Sequence, residues 1–116
     1  MGEVSVLRLE LFKHSYGSFL DALDAEGVPH SEVQQFTTQP QASAFVESIS
    51  ALSEAMPWNS IAKIMIAWIE ARKSREIIIA TENDQVIYLK GYSVSAAEKI
   101  IKRAAKATVI DTAPNE

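Results

Sequence analysis

The fold is decided by residues 61–105, which read IAKIMIAWIEARKSREIIIATENDQVIYLKGYSVSAAEKIIKRAA. This stretch opens on the apolar run Ile61–Ile69, which contains Lys63 and is about half as long as a bilayer-spanning helix must be. We therefore predict no membrane span and a buried helix that Asn59 or Ser60 caps and that runs to about Arg72. Because apolar residues extend well beyond a single stripe of this helix, we expect neighbours to cover it on more than one side.

Two strand-like runs follow this helix, Glu76–Thr81 and Gln85–Leu89, and three polar residues separate them. They predict a β-hairpin, since Asn83 and Asp84 both tolerate turn conformations. The first run is β-branched throughout Ile77–Ile79, which is typical of a central strand that is covered on both faces.

The pattern after Gly91 predicts a final helix that Ser93 caps. The inward side of this helix is formed by apolar residues at helical spacing: Val94, Ala97, Ile101, Ala104 and Ala105. From Thr108 onward few residues could anchor the chain, so we expect residues 108–116 to form a frayed tail. Residues 1–107 then form a single globular domain.

The N-terminal half begins with a strand-like segment, Val4–Phe12, in which leucines alternate with charged residues. Ser15 is placed to cap a short helix that Gly27 ends in a left-handed conformation. Residues 31–38 predict an edge strand, because they contain β-branched residues but little apolar alternation. Residues 41–55 predict an amphipathic helix, in which apolar residues recur at i, i+4, i+7 and i+11: Phe45, Ile49, Leu52 and Met56.

Together these elements predict an α+β fold with the order β-α-β-α-α-β-β-α. The simplest way to bury their apolar faces is a small mixed β-sheet packed against helices, in two layers around one core. Hydrophobic residues make up 47% of the chain and charged residues 22%, which are ordinary values for a globular domain. This composition excludes a chain that is disordered throughout.

No arrangement for catalysis or metal binding is recognisable in the sequence. The only histidines, His14 and His30, lie far apart at loop edges, and we expect both to be solvated, with a catalytic or pH-dependent role as the alternative. The absence of cysteine excludes disulfides, thiolate zinc sites and a thiol nucleophile. No glycine-rich phosphate loop is present. We therefore expect a protein that is not an enzyme and that binds neither a cofactor nor a metal.

Charge is distributed unevenly along the chain. Residues 1–58 contain two basic and eight acidic residues, whereas residues 59–116 contain nine basic and seven acidic ones. Such a split is compatible with two differently charged surfaces, and equally with unplanned variation. Three acidic residues lie opposite the apolar stripe of the first helix: Asp21, Asp24 and Glu26. A solvated helix face is the simplest interpretation of this placement, and binding of a basic partner is the alternative.

Basic residues form a second candidate surface. Four of them recur at i, i+3, i+4 and i+7 and would project from one side of the predicted final helix: Lys99, Lys102, Arg103 and Lys106. Three more follow the apolar helix and could extend this surface: Arg72, Lys73 and Arg75. Nucleic-acid binding is the alternative function for such a surface. Against it stand the net charge of −4 and the absence of interleaved aromatic residues, which favour a solvated face.

The segment Ile61–Ile79 joins an apolar helix, ending in Trp68 and basic residues, to a β-branched strand, and it continues through Gly91-Tyr92-Ser93 into Glu98-Lys99-Ile100-Ile101. Over about 40 of the 116 residues it resembles small bacterial proteins of the effector-associated constant component type. The resemblance implies an accessory or adaptor module of prokaryotic conflict and signalling systems, without chemistry of its own. The hairpin here departs from that pattern because its turn has no glycine.

We therefore expect a cytoplasmic, non-enzymatic protein-binding module, acting as an accessory, adaptor or inhibitor in a bacterial or phage defence or toxin–immunity system. Trp58 is a further candidate for the interface, although packing between helices is the favoured role for its indole. A homodimer could form through Glu32–Thr38 or through surplus apolar surface on Ile61–Ile69. Glu3 stands where a signal peptide carries basic residues, so we predict no secretion signal.

Overall fold

The computed structural model describes residues 4–32, 44–52 and 55–113. These residues form, in order, β1 (Val4–Lys13), α1 (Ser15–Ala25), β2 (Ser31–Glu32), β3 (Ala44–Leu52), α2 (Trp58–Ala71), β4 (Arg75–Thr81), β5 (Val86–Tyr88), α3 (Val94–Ile101) and β6 (Ala104–Asp111). The described strands form one sheet in the order β2-β3-β1-β6-β4-β5. The sheet is mixed, because β1 and β6 are parallel and the other neighbouring pairs are antiparallel.

One face of this sheet carries the hydrophobic core. Leu9 of β1 lies beside Ala107 of β6, which lies beside Ile79 of β4, and all three are fully buried. The adjacent row on the same face is equally buried: Leu11, Val109 and Ile77. All three helices contribute buried side chains to this core, so they form one layer and the sheet forms the other. The predicted α+β class, with a mixed sheet and helices in two layers, is confirmed.

The first strand and helix largely follow their predicted pattern. The alternating leucines of β1 are fully buried, and Gly27 has a φ of +71°, the left-handed conformation expected after α1. The predicted capping role of Ser15 is wrong, because Ser15 is the first helical residue. Its buried hydroxyl hydrogen-bonds the backbone carbonyls of Phe12 and Val109, at 2.8 and 2.9 Å, and thereby fixes the start of α1 against β1 and β6.

The apolar helix α2 is buried on more than one side, as predicted. Ile61, Met65 and Ile69 are at most 2% exposed, and Ile66 is only 7% exposed. The predicted cap at Asn59 or Ser60 is wrong, because the helix begins at Trp58, both residues lie within its first turn, and no side chain caps it.

The hairpin after α2 is also confirmed, with Asp84 at a φ of +62° in its turn. Its first strand is covered on one face only. Ile77 and Ile79 are fully buried in the core, whereas Ile78 is half-buried and points away from the helices. The prediction that this strand is covered on both faces is therefore wrong.

Residues 44–52 form strand β3, so the predicted helix over residues 41–55 is wrong. β3 pairs with β1, placing Ile49 opposite Leu7 and Glu47 opposite Leu9 on the inner face. Residues four apart share a face in a strand as well as in a helix, which made the apolar spacing ambiguous. Glu47 then interrupted the alternation that marks a strand. The predicted edge strand is confirmed at Ser31–Glu32, and residues 33–38 lie outside the described residues.

β6 is an interior strand between β1 and β4, so the predicted frayed tail is wrong for residues 108–111. α3 ends at Ile101, and Ala104 and Ala105 lie in β6 instead of facing inward from a helix. Pairing on both sides satisfies the backbone groups of β6, and this outweighs the weak strand propensity of its alanines. The domain therefore extends beyond residue 107, and the element order is β-α-β-β-α-β-β-α-β.

Candidate functional site

A cleft of about 600 Å³ lies between α1 and α2. One wall is formed by residues of α1 and its C-terminal cap: Ser18, Asp21, Ala22, Ala25 and Glu26. The opposite wall is formed by α2 and the first residue of β4: Lys63, Ile64, Ala67, Trp68 and Arg75. The volume lies within the range of about 300–1,000 Å³ that is typical of ligand sites.

Small side chains keep this cleft open. Ala22 and Ala25 on α1 and Ala67 on α2 each present only a methyl group at the cleft. Ile64 and Trp68 are 6% and 5% exposed, and they form an apolar floor that continues into the core. The cleft therefore combines methyl groups, which leave space between the two helices, with the larger apolar surfaces of Ile64 and Trp68.

Trp68 and Arg75 form a rigid unit at one end of the cleft. The Arg75 guanidinium lies 4.5 Å from the centre of the Trp68 ring, and its Nη1 donates to the Trp68 carbonyl at 3.0 Å. The indole Nε1 donates to the Ser18 hydroxyl at 3.1 Å, and the ring packs edge-on against Phe19 at 5.4 Å. These contacts combine cation–π, hydrogen-bonding and aromatic interactions, which leave both side chains little rotational freedom.

The carboxylate of Asp111 holds Arg75 from the inner face of the sheet. Its Oδ2 accepts from Arg75 Nε at 3.0 Å, and its Oδ1 accepts from Ser74 Oγ at 2.6 Å and from the Ala113 amide at 3.0 Å. Burial alone would raise the pKa of Asp111, but these hydrogen bonds and the charge of Arg72, 3.8 Å away, together lower it. Asp111 is therefore ionised and fixes the cation beside the cleft.

The charges around the cleft are divided between its two walls. Asp21 and Glu26 place carboxylates on the α1 side, and Lys63 and Arg75 place cations on the other side. None of the residues that line the cleft is a histidine. This arrangement suits binding of an apolar body with charged groups on opposite flanks.

His30 is not solvated, contrary to prediction. Its Nδ1 lies 2.8 Å from Oε1 of Glu47, and its Nε2 lies 2.9 Å from Oδ1 of Asp24. Both partners are carboxylates that only accept hydrogen bonds, so a doubly protonated imidazolium alone donates to both. Burial by itself would lower the pKa of His30, but the hydrogen bonds and charges of Glu47 and Asp24 together raise it above 6.5. The imidazolium thus compensates the charge of Glu47, whose side chain is 4% exposed.

The predicted basic face of the last helix is wrong. Of its four residues only Lys99 lies within α3; Lys102 caps the helix, Arg103 lies in the following turn, and Lys106 lies in β6. The Lys106 ammonium is 3.3 Å from the Glu10 carboxylate on the other side of the sheet from the helices. Helical spacing groups these residues, but α3 ends at Ile101, before three of them.

Two of these basic residues line a second cavity, of about 220 Å³, at the turn of the hairpin. Lys102 and Arg103 lie there with Thr81, Glu82 and Asn83. The neighbouring carboxylate of Glu82 offsets part of their positive charge, which makes this cavity a weak candidate for binding an anion.

The remaining candidate residues do not assemble into one surface. Arg72 joins Arg75 at Asp111, and Lys73 is exposed, with its carbonyl accepting from Lys90 Nζ at 3.0 Å. Trp58 is half-buried and packs against the core, which favours its structural role. Among the predicted partner-binding residues, the structure therefore brings Asp21, Glu26 and Arg75 together at the cleft.

The face of the sheet that points away from the helices is called here the open face. It is not exposed throughout, because Val46 of β3, which lies beside Glu10 on this face, is only 6% exposed. Three large hydrophobic side chains are more than half exposed there: Val6 at 55%, Tyr88 at 56% and Val86 at 60%. Three half-buried hydrophobic residues lie on the same face: Phe12, Ile78 and Ile110. Tyr88 lies directly beside Ile78, and Phe12 lies beside Ile110, so apolar surface continues between strands.

Within residues 4–32, 44–52 and 55–113, no group of three or more His, Cys, Asp or Glu side chains is arranged so that it could hold a metal ion. No helix in those ranges combines the length and hydrophobicity needed to cross a membrane. No protein-family model, curated protein or solved structure matches this chain. The resemblance to effector-associated constant component proteins therefore stays a prediction.

Sequence patterns did not reveal several residues of the cleft. The sequence pattern places Trp68 on the inner stripe of α2 and indicates no role for Lys63. The signal that could have located the cleft was Ala67, a small residue on a helix whose apolar surface exceeded one stripe. The contact of Asp111 with Arg75 was not predictable, because no pattern in residues 108–111 distinguishes this strand from a frayed tail.

Proposed function

We propose that this chain is a non-enzymatic protein-binding module whose partner packs against the open face of the sheet. The single observation that carries the proposal is the exposure of Val86 and Tyr88, at 60% and 56%, beside the half-buried Ile78 on the open face. Contiguous exposed apolar surface on a soluble domain marks interaction sites. Tyrosine is also enriched in interfaces, because its ring buries a large area while its hydroxyl accepts or donates a hydrogen bond.

The two central strands carry charges on the open face that would fix the orientation of a partner. Lys106 and Glu10 form an ion pair on this side of the sheet, and both are only partly exposed. Charged groups beside an apolar contact contribute specificity more than affinity. The proposal includes a cytoplasmic role as an accessory or inhibitor in a bacterial or phage conflict system, which the sequence resemblance suggests.

The proposal is tested with the purified products of the genes that neighbour this one. We expect at least one to form a complex with the chain at about 10 µM, measured by sedimentation velocity. Replacing Val86 and Tyr88 together by glutamate should weaken this complex at least about tenfold, since truncation of a central interface anchor alone costs 1 kcal/mol or more.

The matched control replaces Asn83 and Gln85 by glutamate, which adds the same charge to the turn of the same hairpin. This control should bind like the unmodified chain. A complex that the Val86 and Tyr88 replacements leave intact would contradict the assigned surface. A chain that stays monomeric and binds none of these products would contradict the proposed function, whereas a dimer abolished by the same replacements would identify a second copy as the partner.

A further inference from the structure

The cleft between α1 and α2 is elongated along both helices. On α1 its lining residues occupy positions i, i+3, i+4, i+7 and i+8 from Ser18 to Glu26, one continuous stripe about 12 Å long. On α2 they occupy i, i+1, i+4 and i+5 from Lys63 to Trp68. Such a pair of stripes forms a groove into which a third helix can pack.

The floor of this groove allows close approach. Ala25 and Ala67 are exposed and present only methyl groups, so a partner backbone can come near both helices. The Trp68 ring supplies a large apolar surface that the Arg75 and Ser18 contacts hold in place. A site whose side chains are already fixed loses little conformational entropy when it binds.

The two sides of the groove have opposite charge. Asp21 and Glu26 follow α1, whereas Lys63 and Arg75 follow α2 and β4. The side chain of Arg75 is only 11% exposed and its charge is paired with Asp111, so Lys63 is the main cation on the second side. A helix lying in the groove therefore meets carboxylates on one edge and the ammonium of Lys63 on the other. Complementarity requires that it be basic along the first edge and acidic along the second.

We propose that the α1–α2 cleft binds an amphipathic helix of a partner protein, with an apolar stripe, one basic edge and one acidic edge. Binding a helix in a groove through anchors at i, i+3, i+4 and i+7 is an established mode of protein recognition. The proposal rests on the proposed protein-binding function, but it uses the helical layer and not the open face of the sheet.

The probes are three synthetic helical peptides of about 14 residues, or four turns, with the same leucine and alanine stripe. One carries lysines on one edge and glutamates on the other, one carries only lysines, and one carries only glutamates. A helix can enter the groove in either direction, so exchanging the two edges would not serve as a control. Affinity is measured by fluorescence anisotropy, and occupancy by the indole N–H resonances, with Trp58→Phe to assign the signal of Trp68.

We expect the peptide with mixed edges to bind at least about fivefold more tightly than either singly charged peptide, and to shift the Trp68 signal more than that of Trp58. Lys63→Glu should reverse the order in favour of the lysine-only peptide, because the α2 wall then presents a carboxylate while the charge of Arg75 stays paired with Asp111. Ala67→Glu should weaken binding of the mixed peptide at least about tenfold by placing a larger, charged side chain in the groove.

The matched control carries Val86→Glu and Tyr88→Glu together. Both residues lie on the side of the sheet away from the groove, so these substitutions should leave the affinity for the peptides unchanged. Equal affinity of all three peptides, no effect of Ala67→Glu, or no binding up to about 1 mM would overturn the proposed groove. These outcomes leave the open-face experiment unaffected, so failure of the groove and failure of the proposed function are distinguishable.

Discussion

Replacing His30 by glutamine tests the charge assignment inside the domain. The Glu47 carboxylate lies on the inner face of the sheet, its side chain is 4% exposed, and His30 is the cation 2.8 Å from it. Leaving a buried charge without its partner costs about 3 kcal/mol or somewhat more. The contact with Asp24 adds little, because that carboxylate is 66% exposed and screened by water. We therefore expect His30→Gln to lower the free energy of unfolding at pH 6 by about 3 kcal/mol.

The pH dependence of this effect follows from the raised pKa of His30. A group that binds its proton more tightly in the folded state stabilises the fold below its ordinary pKa of 6.5. This contribution is lost as the pH rises through the folded-state pKa. The free energy of unfolding of the unmodified chain should therefore fall between pH 6.5 and 9, by at most about 1.4 kcal/mol per pH unit. Over the same range, the difference in unfolding free energy between the unmodified chain and His30→Gln should become smaller.

The assay is urea unfolding at a series of pH values between 6 and 9, followed by Trp fluorescence and circular dichroism. His14→Gln is the matched control, because it removes the other histidine and leaves Glu47 its partner; it should retain the pH profile of the unmodified chain. A stability that stays constant or rises between pH 6.5 and 9 would refute the assignment of a charged His30. So would a loss below about 0.5 kcal/mol for His30→Gln at pH 6, which is the size of an ordinary surface substitution.

Two further predictions concern the C-terminal strand. Asp111→Asn should destabilise the fold by about 3 kcal/mol at neutral pH in urea unfolding, because Arg75 loses its buried counter-charge. The pKa of Asp111 is lowered, so its carboxylate stabilises the fold at pH values above its ordinary pKa of 3.8. This stabilisation is lost as the pH falls through the folded-state pKa. The difference in the free energy of unfolding between the unmodified chain and Asp111→Asn should therefore shrink in acid. Ending the chain after Arg103 removes β6 from between β1 and β4 and should abolish cooperative thermal unfolding by circular dichroism; an unchanged melting curve would show that the segment is a tail after all.

The sequence predicted those strands and helices whose apolar residues follow the side that is buried in the fold. The alternating leucines of β1 face the core, and the broad apolar surface of α2 matches its burial between the sheet and the other helices. In these elements the local pattern and the tertiary environment agree, as they do in most of a well-specified fold. The α1–α2 cleft was not predictable, because its shape depends on how far apart two helices pack, and no residue pattern encodes that distance directly.

The last strand was missed for a different reason. No glycine or proline separates Ile101 from Ala104, so the helical spacing of the basic residues continued through the end of α3. The strand itself is rich in alanine, which has low β propensity. β6 is nevertheless stable, because it pairs with β1 on one side and β4 on the other.

The two strands that the sequence concealed share one property, a buried carboxylate on the inner face of the sheet. Glu47 of β3 and Asp111 of β6 occupy positions where an alternating pattern requires an apolar residue. Each carboxylate is compensated by a cation from another element, Glu47 by His30 and Asp111 by Arg75. A buried charge that needs a specific partner destabilises arrangements in which that partner is absent. The residues that hide these strands in the sequence thus help to fix which elements meet in the fold, and one of them also holds the guanidinium that borders the cleft.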